Sequence, residues 1–122
     1  MQNYQLVLTE HLNHYGYLFG GNMLKWIDEF SWIAASLEYP GCEFVTIGMD
    51  RVTFKESITN GTILRFSTEK QKEGNTSVTY TARVYARAFE KAEEKEVFST
   101  HVTFVCLGKD GKKRPLRQEN LI

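Results

Sequence analysis

Proline and cysteine each occur only twice in 122 residues, and histidine three times. The two cysteines, Cys42 and Cys106, form no CxxC and no paired His spacing, which excludes a zinc ribbon and a disulfide-stapled miniprotein. Three scattered histidines without grouped acids or thiols match no ligand spacing, so no metal is expected. An excess of one charge is missing too. Fifteen basic residues balance fifteen acidic ones, and without a global field there is no pull toward nucleic acid or an anionic membrane. No apolar run approaches the ~20 residues that span a bilayer. The opening MQNYQLVLTEHLNHYG also lacks the basic start and apolar stretch of a signal peptide. The expectation is a soluble, cytoplasmic protein whose cysteines are buried free thiols, behaving as small hydrophobes in a reducing compartment.

Hydrophobic residues make up 42% of the chain and charged residues 25%, enough to build a core and too apolar for a disordered chain. No Pro/Gly/Ser-rich linker divides residues 1–122, so one domain is expected. Residues 4–9 read as a short strand, followed by a polar, aromatic loop over 10–19. From Asn22 to Tyr39 apolar residues recur at Met23, Trp26/Ile27, Phe30, Ile33/Ala34 and Leu37, the spacing of a helical stripe. Leu24, Trp32 and Ala35 widen it so far that the helix is expected to be covered on most sides. Pro40-Gly41 ends it.

After the helix the period becomes two. Strands are expected over 44–54, 62–70, 76–89 and 97–107, with turns at Thr59-Asn60-Gly61 and Gly74-Asn75. In the third, Val78, Tyr80, Ala82, Val84 and Ala86 share one face. The last is apolar on both sides, as for a central strand or a subunit contact. The stretch EKAEEKE between them is a charged connection rather than an acidic site, and Lys112-Lys113-Arg114 reads as a solvated tail. One long helix among about five antiparallel strands predicts an α+β fold in which a curved sheet wraps the helix, the shape of a hotdog. The open strand edge and uncovered helix surface predict a symmetric dimer.

The chemistry concentrates in residues 11–29. Gly20 and Gly21 open the helix, so its first backbone N–H groups are unpaired and can be approached closely by an oxygen that gains negative charge. Asp28 stands two turns further on among Leu24, Trp26, Ile27, Phe30 and Trp32. A carboxylate there is costly unless hydrogen-bonded or facing a cavity, and one held so is suited to act as general base or nucleophile. Asp28 and Glu29 also fit a plain solvated helix face, and Asn13 alone fits a loop cap.

The run Asn13-x-x-Gly16-x-x-Phe19-Gly20-Gly21, with Asp28 seven residues beyond the second glycine, resembles the signature of hotdog acyl-CoA thioester hydrolases. The stretch from Phe44 to Lys55, FVTIGMDRVTFK, resembles the strand that follows the helix in that family. Gly61, Gly74-Asn75-Thr76-Ser77 and Val102-Thr103-Phe104-Val105 fall where its later turns and strands would, so the likeness covers essentially the whole chain. The resemblance implies hydrolysis of an acyl-CoA to a carboxylic acid and coenzyme A. The amide near Gly21 would polarise the carbonyl. Asp28 would serve as base or nucleophile, and Asn13 of a second copy would position water or the carbonyl. Phe19 and Gly20 would line the substrate site, and Gly74, Asn75, Thr76 and Ser77 would approach the pantetheine and phosphates. Arg51, Lys55 and Arg83 would supply counter-charge.

The resemblance implies no cofactor, coenzyme A being part of substrate and product, and a homodimer that assembles further to a tetramer or hexamer. His11 replaces an acidic residue often found before the Asn loop, and Glu56-Ser57 stands where a proline is common, which leaves acyl-chain choice and loop shape open. Tyr15, Tyr17 and Phe19 are placed to shape an acyl pocket. His11 and His14 flank Asn13 but are read as structural or solvated, and His101 as an interface or core hydrogen-bonding group. Two alternatives remain at this stage: a hotdog thioesterase for aryl or phenylacetyl thioesters, and a non-catalytic acyl-CoA-binding regulator.

Overall fold

In a computed structural model, which describes residues 1–117, the change of hydrophobic period becomes a change of structure. The order is β1 (Gln2–Leu6), a 3-10 turn at Thr9–His11, α1 (Gly20–Glu38), β2 (Glu43–Phe54), β3 (Ile63–Glu73), β4 (Ser77–Arg87) and β5 (Lys95–Leu107). The five strands form one antiparallel sheet in the order β1-β3-β4-β5-β2. α1 packs on one face of it. Met23, Trp26, Ile27, Ala34 and Ala35 of the helix meet Leu64, Phe66, Val78, Tyr80, Val84, Phe98, Val102 and Phe104 of the sheet. Emptying one of the fully buried aromatic sites, such as Phe66, costs about 3–5 kcal/mol.

The alternation expected in β4 is observed, with Val78, Tyr80, Ala82 and Val84 buried and Ala86 half-buried. Four expectations need correction. The cover of the helix stops short of Trp32 and Leu37, which are 44% and 69% exposed, because the five-stranded sheet leaves a stripe of the cylinder open. β5 is central but not apolar on both faces, since Ser99, His101 and Thr103 lie half-buried opposite Phe98, Val102 and Phe104. Arg114 is no solvated tail residue. Its backbone N–H bonds the Cys106 carbonyl at 3.0 Å, as the chain after β5 turns back at Gly111 and returns along the strand end. Lys112 and Lys113 are exposed.

The fourth correction is chemical. Cys42 and Cys106 are not free thiols but a disulfide, their Cα atoms 5.1 Å apart across 64 residues of sequence. The turn at Gly41 lays Cys42 beside the end of β5, a proximity set by tertiary structure. The inference from free thiols to a reducing compartment falls with it. No helix among the described residues is long and apolar enough to cross a membrane.

A polar cluster fastens the C-terminal end of α1 to the sheet. Lys70 Nζ donates to Glu38 at 2.6 Å and to Glu73 at 3.2 Å; Tyr80 donates to Glu38 at 2.6 Å, and Tyr39 to Glu73. Arg117 donates twice to Glu73 at 2.9 Å. The Arg117 guanidinium first, and the Tyr39 hydroxyl next, hold the Glu73 carboxyl down to about 2. Burial first, and then the Glu38 carboxylate, push the Tyr80 phenol up. Within EKAEEKE, Glu94 accepts a two-pronged bond from Arg65, Lys95 pairs with Glu56, and Glu96 lies 3.7 Å from Lys55.

The two sheet edges differ. β1 is 5 residues long, whereas β2 runs for 12 and leaves Val45, Ile47, Val52 and Phe54 between 42% and 60% exposed. An edge strand that long and apolar is a template for another strand.

Candidate active site

The start of α1 is open, as the two glycines predict. Phe19 occupies the N-cap with extended backbone and gives no side-chain cap. Among the described residues no hydrogen bond engages the Gly20 or Gly21 N–H, so both remain available to an oxygen. Both glycines sit tightly against aromatic rings, which would have to shift by a few tenths of an ångström to admit a side chain. A Cβ on Gly20 would lie 3.1 Å from the Phe54 ring, and one on Gly21 3.0 Å from the Phe19 ring. Two half-exposed aromatic rings therefore flank the helix start.

Asn13 organises the loop before it. Its Oδ1 accepts from the backbone N–H groups of Tyr15 and Tyr17 at 2.9 and 3.2 Å, and the loop closes further through Asn13 N–H to the Tyr17 carbonyl at 2.7 Å. Two backbone donors on one oxygen fix the orientation of the amide, which leaves Nδ2 as its free donor. Asn13 lines a cleft of about 450 Å³ with Tyr17, Leu18, Gly20, Phe54, Lys55, Glu56 and Ser57. Two histidines flank it. His11 accepts the Leu8 N–H through Nδ1 at 3.0 Å, sets its ring edge-on to Trp26, and offers its carbonyl to Phe19 and Asn22; His14 is exposed against Tyr15.

Asp28 lies about 12 Å along the helix from Gly20, at 1.5 Å per residue. It is half-buried, and its Oδ1 accepts a 2.6 Å bond from Thr46 of β2. It opens on a different cleft, of about 330 Å³, shared with Glu29, Trp32 and Ile33. The carboxylate thus meets both conditions set by its apolar sequence context, a hydrogen bond and a cavity. Thr46 is a residue that the sequence did not single out; a threonine in a β-branched strand carries no signal of its distant partner.

Within one chain, then, Asn13, Gly20, Phe19 and Lys55 gather at the start of α1, while Asp28 faces a separate cleft. Gly74, Asn75, Thr76 and Ser77 lie at the opposite end of the sheet, where the carbonyls of Asn75 and Thr76 accept from Leu116 and Cys106, and are not brought to the helix start. Arg51 sits on a bulge of the β2 edge with φ +47°, a left-handed conformation that is strained for arginine. Lys55 is 3.7 Å from Glu96, and Arg83 is 3.5 Å from the same carboxylate. His101 Nδ1 lies 2.9 Å from Asp50, between β5 and β2. Among the described residues no cluster of three metal-ligating side chains occurs.

This arrangement, one helix against a curved antiparallel sheet with an acid on the helix and a glycine-opened start, is that of a hotdog-fold thioesterase. Residues 15–88, more than half of the chain, match the model of the thioesterase superfamily. The chain belongs to that family. It is 31% identical over 106 residues to acyl-coenzyme A thioesterase 11 of Mus musculus, covering 87% of this chain and 18% of that protein, so it spans less than a fifth of that relative. A hexameric hotdog-fold thioesterase of Campylobacter jejuni is 33% identical, with a TM-score of 0.85 over 94% of this chain and 88% of that one. An acyl-CoA hydrolase of Staphylococcus aureus, solved with butyryl coenzyme A, coenzyme A and coenzyme A disulfide, is 25% identical at a TM-score of 0.85, covering 94% and 70%.

Proposed function

We propose that this chain is an acyl-CoA thioesterase that adds water to the thioester carbonyl and releases a carboxylic acid and coenzyme A. The observation that carries the reading is Asp28, a half-buried carboxylate on α1, held by Thr46 at 2.6 Å and facing a cleft. Thr46 occupies Oδ1 and leaves Oδ2 to take a proton from water or to attack the carbonyl carbon; both routes give the same products. The carbonyl oxygen gains charge as the tetrahedral centre forms, and the free Gly20 and Gly21 N–H groups are suited to receive it. Asn13 Nδ2 adds a donor for that oxygen or for the water. The Staphylococcus relative is described in complex with coenzyme A and an acyl-CoA, which supports the same ligand class here.

The halves of this site belong to different copies in the proposed enzyme. In each chain β2 crosses α1 so that Phe54 touches Gly20 at one end and Thr46 touches Asp28 nearer the other. Pairing two β2 edges antiparallel about a two-fold axis sets Phe54 near the start of the partner strand. That carries the Asn13 cleft of one chain toward the Asp28 cleft of the other, and buries Val45, Ile47 and Val52. Lys55 then stands beside the joined cleft, suited to a phosphate. Further assembly to a hexamer fits the Campylobacter relative. The Gly74–Ser77 turn lies at the sheet end where Val105 pairs with Val45, away from the helix start of its own chain.

The test is thiol release from acetyl-, butyryl-, palmitoyl- and phenylacetyl-CoA. Steady release from at least one substrate is expected. Binding of acyl-CoA without release from any would replace the hydrolase with a binding regulator.

A further inference from the structure

Trp32 stands one helical turn beyond Asp28 on the same face, about 6 Å along the axis, and lines the same cleft with Glu29 and Ile33. Its ring is not free. The indole N–H donates to the Phe44 carbonyl at 3.2 Å, so the ring cannot swing aside without breaking that bond. Phe44 is the second residue of the strand that also carries Thr46, so a single short segment fixes both the carboxylate and the indole. The side chain is nevertheless 44% exposed, a large apolar surface held rigid beside a reactive acid.

We propose that Trp32 is the far wall of the acyl pocket and limits the length of acyl chain the enzyme accepts. The inference rests on the thioesterase reading and extends it to a substrate class, short acyl groups. With the thioester carbonyl at Asp28, the two arms of the substrate must leave in different directions. The coenzyme A arm is polyanionic and is repelled by the Glu29 carboxylate on this cleft, whereas the Asn13 cleft sets Lys55 and the unpaired helix-start amides beside one carboxylate, Glu56, whose charge Lys95 offsets. The apolar arm therefore takes the cleft of Trp32 and Ile33. A short acyl group fits between Asp28 and the indole; a longer one meets the ring.

The experiment compares kcat/KM across straight acyl-CoAs from acetyl to palmitoyl for the parent, Trp32→Ala and Trp32→Phe. The parent favours short chains. Trp32→Ala raises the long-to-short ratio about tenfold or more, the discrimination a pocket wall provides against extra methylenes, while Trp32→Phe, which keeps a ring, stays near the parent. An unchanged profile in a folded Trp32→Ala enzyme of parental oligomeric state overturns the proposal. If Trp32→Ala does not fold, tryptophan emission in the Asp28→Asn chain decides. Trp26 is only 6% exposed, so the response reports Trp32. Butyryl-CoA shifts the emission to the blue and coenzyme A alone does not; equal spectra with both overturn the proposal. Absence of thiol release by the parent on every substrate would defeat the hydrolase reading instead, and the emission arm would still judge the acyl contact.

Discussion

The Asn13 cleft and the Asp28 cleft are opposites in chemistry. The first gathers donors, the Asn13 amide, the unpaired Gly20 N–H and the Lys55 ammonium, with the Gly21 N–H next along the helix and its one carboxylate, Glu56, paired with Lys95. The second offers an acceptor, Asp28, against an apolar wall of Trp32 and Ile33. Neither alone suits thioester hydrolysis, which needs donors for the carbonyl oxygen and a base or nucleophile for the attack. In the proposed enzyme, two incomplete halves in one chain, joined along an exposed edge strand, would make catalysis a property of the assembly.

The comparison breaks most sharply at the acceptor. Asp28→Asn keeps the Thr46 hydrogen bond and removes the charge, so thiol release should fall by about 10²–10⁴-fold, with coenzyme A binding retained; binding and initial-rate measurements on the same preparation check both. Next is the support of the Asp28 side. The disulfide ties the segment after α1 to β5, and Cys42→Ser should lower unfolding free energy by about 4 kcal/mol for a closed loop of this length, seen in denaturant melts that the parent matches only when reduced.

At the donor cleft, Asn13→Asp sharpens the contrast. The new carboxylate still accepts from Tyr15 and Tyr17 but has no N–H to give, so activity should drop roughly 10- to 100-fold while the melting temperature stays near that of the parent. Asn13→Ala loses both and should also loosen the loop. The smallest effect lies in the polar cluster that touches neither cleft. The Glu73 carboxyl titrates lower folded than unfolded, so it stabilises the fold above its usual value near 4.5, and that contribution disappears as pH falls toward about 2. Glu73→Gln should therefore lower the melting temperature modestly at neutral pH, with the gap to the parent closing in acid and turnover at neutral pH preserved.

Much of this was legible in the chain because it is local. The Met23–Leu37 stripe, the Pro40-Gly41 stop and the alternation from Val78 to Ala86 each lie within one element, and each element formed within a few residues of its expected bounds. The glycine pair before the helix likewise announced an open terminus. What escaped depends on partners far apart in sequence: Cys42 with Cys106, Thr46 with Asp28, Trp32 with Phe44, Phe54 with Gly20. That Asn13 and Asp28 of one chain lie apart was implied only by the family resemblance, which assigns Asn13 to a second copy, and not by the residues themselves. Their closeness in sequence spans a loop and two helical turns, which carry them to different surfaces.

Subunit mixing tests the divided site most directly. Asn13→Ala and Asp28→Asn chains, each nearly inactive alone, are co-refolded in equal amounts. If the halves join across a two-fold axis, half the dimers are mixed and each mixed dimer regains one whole site, giving about a quarter of parental activity. Activity that stays at the level of the separate variants, in a mixture shown to contain mixed dimers, would contradict the account.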